Sequence, residues 1–257
     1  MPRFAANLTL LFNEQPFLER FAAARAAGFA GVEYLFPYAW PAEVLQQQLR
    51  SHGLTQVLFN LPPGDWDGGE RGIACLPGRE DEFRAGVEQA IVYAQALDCQ
   101  QLKCLAGLCP EGLQARAWDT LVANVRYAAQ RLAEAGLRLL VEPINSRVDM
   151  PGFLLDTSNK GVQLLDQVGS DNVRLQYDLY HMQIMEGDLL RTLERLLPRI
   201  GHIQFADNPG RHEPGTGEIN YPAIFAALDS LGYDGWVSAE YRPATSTAAS
   251  FGWFTGS

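Results

Sequence analysis

Four times along this chain a helical stretch runs into a glycine, an apolar residue and then a short apolar run. The phrases are ARAAGFAGVEYLF at Gly28, LRSHGLTQVLFN at Gly53, LAEAGLRLLVE at Gly136 and LDSLGYDGWVSAE at Gly232. A glycine one step past a helix takes the left-handed conformation that stops it, and the next apolar residue folds back on the last turn. Four such junctions, each feeding a buried strand, describe the connections of a parallel sheet. Apolar runs bounded by turn residues predict strands at about 4–10, 31–36, 55–60, 101–105, 138–142, 173–178, 201–206 and 235–240. Helical periodicity is clearest at about 15–27, 79–97, 116–135 and 220–231. The second of these begins after Pro77 and Gly78 and carries Glu80, Asp81 and Glu82 in its first turn, where acids suit the helix dipole.

Eight strands alternating with helices in 257 residues fit an α/β fold of one kind, a single (β/α)8 TIM barrel over residues 1–257. The rival is a doubly wound open sheet, but the GxGxxG expected near its first strand is absent. No linker, low-complexity segment or charge run divides the sequence. A formal charge of −10 argues against a nucleic-acid partner, which needs a basic footprint. No apolar run approaches about 20 residues, so no membrane span is expected. The opening MPRFAANLTLLFNEQ lacks the apolar core and cleavage site of a secretory signal. Cys75, Cys99, Cys104 and Cys109 are too irregularly spaced for a zinc ribbon or redox pair, so reduced thiols in a cytoplasmic protein are expected. A homo-oligomer stays open.

The chemistry gathers in the second half. Glu142 closes LRLLVEP, Asp178 closes VRLQYD, Gln204 lies near the end of HIQFAD and Glu240 near the end of WVSAEY. They are spaced 36, 26 and 36 residues apart, each about one strand–helix–strand step. Neighbouring parallel strands would bring them to one point, as three carboxylates and an amide oxygen. That donor set suits a hard divalent cation, Mg²⁺ or Mn²⁺, better than zinc. Glu142 and Glu240 would flank a bound molecule, a placement suited to moving a proton between neighbouring carbons of a hydroxy-carbonyl compound.

Two loops exceed the usual connection, 60–78 after the third strand and 206–221 after the seventh. Both leave from strand C-terminal ends, the catalytic face of a barrel, and Trp66 marks the first as a cover. His181, just beyond Asp178, could bond a substrate oxygen. Arg211, beside His212 in the second loop, could grip an anionic substrate, with Lys103 a weaker candidate. His202 reads as a core residue and His52 as a favourable charge at a helix C-terminus. From the residues alone the class is a metal-dependent isomerase or epimerase of small anionic hydroxy-carbonyl compounds. A metal-dependent hydrolase with the same ligands is the alternative.

RFAANLTLLF, FPY, GERGIACLPGRE, VEPIN, QYDLYHMQ and IQFADNPGRHEPGTGEINY together resemble the hydroxypyruvate isomerase family over nearly the whole chain. That family stands among the xylose-isomerase-like TIM barrels, beside ketose 3-epimerases and endonuclease IV-type enzymes. The resemblance implies interconversion of hydroxypyruvate and 2-hydroxy-3-oxopropanoate. It places proton transfer on Glu142 and Glu240 and metal ligation on Glu142, Asp178, Gln204 and Glu240, with His181 and Arg211 holding substrate oxygens. Many members of the wider superfamily carry His where this chain has Gln204, which implies an all-oxygen, more weakly held metal. Close relatives act on four-carbon 2-oxo acids such as 2-oxo-tetronate.

Overall fold

The computed structural model describes residues 2–254. Its strands are β1 (Arg3–Asn7), β2 (Gly31–Glu33), β3 (Thr55–Asn60), β4 (Gln101–Cys104), β5 (Arg138–Val141), β6 (Val173–Asp178), β7 (Ile200–Phe205) and β8 (Trp236–Ala239). They pair in parallel, each with the next, and β8 returns to β1 to close the barrel. The helices are α1 (Arg20–Ala26), α2 (Ala42–His52), α3 (Glu80–Leu97), α4 (Gln114–Glu134), α5 (Ser158–Val168), α6 (Leu179–Met185), α7 (Leu189–Leu196) and α8 (Tyr221–Ser230). The (β/α)8 architecture is therefore as expected.

Gly28, Gly53, Gly136 and Gly232 all have positive φ, between 60° and 99°. The left-handed stop thus operates at all four predicted junctions. Differences lie at the strand ends. β1 stops at Asn7 rather than near residue 10, because the Asn7 side-chain oxygen accepts from the Thr9 N–H at 3.0 Å and turns the chain. β2 stops at Glu33 rather than 36, where the Leu35 N–H leaves the sheet for the Thr9 hydroxyl at 2.9 Å. The first helix begins only after a short 3-10 turn at Phe17–Glu19 that follows Pro16.

The main core is the layer between the sheet and the helices, with Phe21, Phe29, Phe59, Phe205 and Tyr221 among its fully buried members. Each such side chain contributes about 1.5–3 kcal/mol relative to exposure. A second, smaller cluster of Ala5, Val57, Leu58 and Leu140, packed on Trp236, stands apart. Its residues come from β1, β3, β5 and β8, so it fills the barrel interior. A Cβ on Gly31 would fall 2.7 Å from the Trp236 ring and 2.8 Å from Val57, so the missing side chain makes room for the indole. Gly31 and Trp236 begin their strands, which sets this apolar plug at the N-terminal end. The opposite end of the interior is polar. No helix of the described residues is long and apolar enough to cross a membrane.

Candidate active site

At the C-terminal end of the barrel, Glu142 directly follows β5, Asp178 ends β6, Gln204 lies one residue before the end of β7 and Glu240 directly follows β8. All four are buried. One ligating atom each from Glu142, Asp178, His181 and Glu240 lie within 4.8 Å of one another. The three acids predicted to meet do meet.

Their surroundings differ. Glu142 Oε2 accepts from Lys103 Nζ at 2.7 Å, and both residues are almost fully buried. Burial opposes the Lys103 charge, but Glu142 and Glu240 outweigh it and hold the ammonium above its ordinary range. Glu240 is enclosed by donors. Its Oε1 accepts from Asn7 at 2.9 Å and Gln204 at 3.2 Å, its Oε2 from Arg211 at 2.8 Å. Burial nevertheless pushes its carboxyl up to about 7, against the pull of Arg211 and Lys103 and with added repulsion from Glu142 and Glu33. Asp178 caps α6, its Oδ1 accepting from the Tyr180 N–H at 2.8 Å and more loosely from the His181 N–H at 3.4 Å. Burial and the neighbouring Glu240 raise it well above the usual carboxylate range.

Two oxygens in this cluster, Glu142 Oε1 and Asp178 Oδ2, are buried with no hydrogen-bond partner among the described residues. Buried acceptors in a nest of like charges carry a cost that a divalent cation would remove, so the donor set fits one.

His181 belongs to the same cluster, but its tautomer sets its role. Asn145 Oδ1 accepts from the N–H groups of Val148 and Asp149 at 3.0 and 2.9 Å, which fixes the amide. Its Nδ2 therefore points at His181 Nδ1, 2.7 Å away, and donates to it. Burial, with Arg211 and Lys103 nearby, holds the imidazole well below its ordinary range, so the ring is neutral and carries its proton on Nε2. That nitrogen faces the acid cluster, 3.6 Å from Asp178 Oδ2. As a donor it suits a substrate oxygen better than a metal.

Gln204 is placed in the cluster with its nitrogen forward. Its Nε2 donates to Glu33 Oε1 at 2.5 Å and to Glu240 Oε1, while its oxygen accepts from Gln176 Nε2. Gln176 Oε1 has no partner among the described residues. Turning both amides over would bring Gln204 Oε1 forward but set it against Glu33 and Glu240, so without a cation between them the nitrogen stays forward. Arg211, at φ 55° on the loop after β7, is paired with two carboxylates, Nη1 3.2 Å from Asp149 and Nη2 2.8 Å from Glu240, while its buried Nε has no hydrogen-bond partner among the described residues. Those acids, with Asp178, keep its charge in place against burial.

Glu33 went unnoticed in the sequence. It accepts from Asn7 at 3.0 Å and from Gln204, and its Oε2 lies 2.8 Å from His202 Nε2 across the barrel. Burial alone would raise it, but His202 and the donors outweigh that and hold it low. Its signal was available, since GVEYLF is another apolar run interrupted by a carboxylate. His202 is buried as expected, and Glu33 supplies the partner its strand did not reveal. His52 lies in the last turn of α2. His212 Nδ1 lies 2.7 Å from the Arg242 carbonyl, within the loop structure.

Above the cluster opens a cavity of about 320 Å³ lined by Lys103, Glu142, Asp149, His181, Arg211 and Glu240. Trp66 and Arg71 from the loop after β3 complete its wall, so both long loops reach the site. All four cysteines are free, and burial pushes the thiols of Cys75, Cys99 and Cys104 up to about 12. Those three are inert at neutral pH.

The sequence profile of the family described as xylose isomerase-like TIM barrel matches residues 21–256. The chain is 50% identical to hydroxypyruvate isomerase of Escherichia coli K12 over 254 residues, 98% of either chain. It is 49% identical to 2-oxo-tetronate isomerase of Cupriavidus necator over 254 residues, 98% of this chain and 97% of that one. Among solved structures it resembles a Brucella melitensis protein described as an AP endonuclease, family 2. The identity there is 51% and the TM-score 0.96, over 99% of this chain and 98% of that one.

Proposed function

This chain belongs to the xylose isomerase-like TIM barrel family and is an isomerase, and we propose that it interconverts hydroxypyruvate and 2-hydroxy-3-oxopropanoate. The observation that carries the reading is the convergence of three buried carboxylates, two with an unpartnered oxygen, beneath a small cavity. The relative of that name at 50% identity supports the substrate.

Glu142, Asp178 and Glu240 would hold a divalent cation, Mg²⁺ or Mn²⁺, joined by Gln204 once its amide and that of Gln176 turn over. Such a cation polarises a carbonyl and offsets charge gathering on its oxygen. Glu142, lining the cavity at the end of β5, takes the proton from C3. Glu240, lining the same cavity at the end of β8, returns a proton to C2. The hydroxyl proton passes from O3 to O2, which completes the isomerisation with no net gain or loss. His181 Nε2–H donates to a substrate oxygen where charge develops, and Arg211 orients Glu240 while remaining within reach of the substrate. The free thiols accord with a reducing, cytoplasmic setting.

Incubation of hydroxypyruvate with the enzyme in D₂O, followed by NMR, tests this. Aldehyde product and enzyme-dependent deuterium at C2 are expected; neither appearing would remove this substrate. The 49% relative favours a second reading, the same chemistry on 2-oxo-tetronate, which a side-by-side comparison of kcat/KM resolves. A nuclease reading has the charge of −10 against it.

A further inference from the structure

A charge inventory of the cavity leaves one half-buried cation unaccounted for. Lys103 is neutralised by Glu142, and Arg211 by Glu240 and Asp149. Arg242 lies at the exposed rim. Arg71 lines the cavity, is half-buried, and among the described residues has no carboxylate at ion-pair distance. Its immediate neighbour Glu70 is turned away, taken by Arg79 at 2.7 Å and by the Asp65 N–H at 2.6 Å.

The guanidinium is nevertheless held in place. Nη1 donates to the backbone carbonyls of Trp66 at 3.0 Å and Glu70 at 2.7 Å, and the group lies 4.4 Å from the centre of the Trp66 ring. Trp66 is itself braced edge-on against Phe36 at 5.0 Å. The loop has little room to move. At Gly72, φ is 106°, and an added Cβ would lie 2.5 Å from the Leu105 carbonyl oxygen. Two neutral carbonyls orient the guanidinium without cancelling its charge, and they occupy only one of its three nitrogens. The remaining Nε and Nη2 form the edge that binds a carboxylate through two parallel bonds.

We propose that Arg71, stacked on Trp66, binds the carboxylate of the substrate, and that this contact selects 2-oxo acids over neutral ketoses of the same length. Arg211, the residue expected to grip the anion, has its two Nη groups on the enzyme's own carboxylates, which offset its charge, and its buried Nε without a partner among the described residues. The proposal rests on the isomerase reading of the site and adds to it the group that recognises the non-reacting end.

The test compares wild type, Arg71→Ala and Arg71→Lys on hydroxypyruvate and on dihydroxyacetone, which carries a hydroxymethyl group in place of the carboxylate. Binding of glycerate, a carboxylate that this chemistry does not isomerise, is measured alongside by calorimetry. In Arg71→Ala the kcat/KM preference for hydroxypyruvate over dihydroxyacetone is expected to fall about 100-fold, mainly through KM, and glycerate affinity at least about 10-fold. Arg71→Lys recovers part of each because charge remains while the two-point geometry is lost. Equal losses on both substrates, or unchanged glycerate binding, would overturn the assignment. If wild type turns over no 2-oxo acid but binds glycerate through Arg71, the isomerase reading fails and the carboxylate site stands.

Discussion

Asn145 Nδ2 lies 2.7 Å from His181 Nδ1, and the amide cannot present its oxygen there because two backbone N–H groups already hold it. Asn145 thereby fixes which imidazole nitrogen faces the acids. Asn145→Asp would accept a proton from Nδ1 instead and leave Nε2 bare. A fall in kcat of about 10–100-fold is expected, with the His181 ¹⁵N shifts moving to the opposite tautomer. Retained activity with a reversed tautomer would show that the Nε2 proton plays no part.

Glu142 and Glu240 have separable roles. Glu142→Gln and Glu240→Gln should each lower kcat by about 10²–10⁴. Solvent exchange distinguishes them. Glu142→Gln stops loss of the C3 proton, whereas Glu240→Gln still lets that proton wash into D₂O faster than aldehyde forms. Equal suppression of exchange in both variants would place the base elsewhere.

Lys103 and Glu142 form an ion pair at 2.7 Å with exposures of 3% and 1%. Removing one partner strands the other in a medium that solvates it poorly. Lys103→Met should cost about 3–5 kcal/mol in urea unfolding of chelated protein, and Mn²⁺ should restore part of it. A loss below about 1 kcal/mol would mean that Glu142 takes up a proton when its partner is removed.

The acid cluster also sets a pH dependence. Glu240 and Asp178 are raised in the folded protein, so between the ordinary carboxylate range and about 7 the metal-free fold binds more protons than the unfolded chain. Its stability from this source is full below that range and is lost as pH rises through about 7. Glu33 is depressed and acts oppositely, its contribution being lost only as pH falls through its low folded value. Cation binding displaces the Glu240 and Asp178 protons, so the Tm gain from Mn²⁺ should widen from pH 5.5 to 7.5. A constant gain across that span would count against these residues as ligands.

Asp207, fully buried, accepts from the N–H groups of Asn208, Gly215, Gly217 and Ile219 at 2.8–3.0 Å and so shapes the loop that carries Arg211. Asp207→Ala leaves those donors unpaired, at a cost on the order of 1–3 kcal/mol. Faster proteolysis between residues 208 and 219 and a raised KM are expected. An unchanged cleavage rate would show that the loop is held by other contacts.

The barrel was legible because its punctuation is local, a glycine past each helix and an apolar strand beyond it. Glu142, Asp178 and Glu240 were legible for a related reason, since one acid closing an apolar strand can be a cap or an ion pair, but three at corresponding strand ends meet at one point of a barrel. Gln204 was legible in position but not in orientation, which depends on Glu33, 171 residues away across the barrel. Arg211 shows the same limit. A loop arginine in the sequence carries no sign of which carboxylates have already claimed it, and Arg71 stood out only once those pairs were known.

Asn7 on β1 donates both to Glu33 and to Glu240, the latter 233 residues along the chain. The seam where first strand meets last therefore runs through the reacting centre. A chain emerging from the ribosome has no site until its eighth strand arrives, and a folding intermediate with β1 undocked lacks the donor that steadies Glu240. Turnover regained during refolding should accordingly lag secondary structure and coincide with ring closure, so that catalysis reports the joining of the chain's two ends.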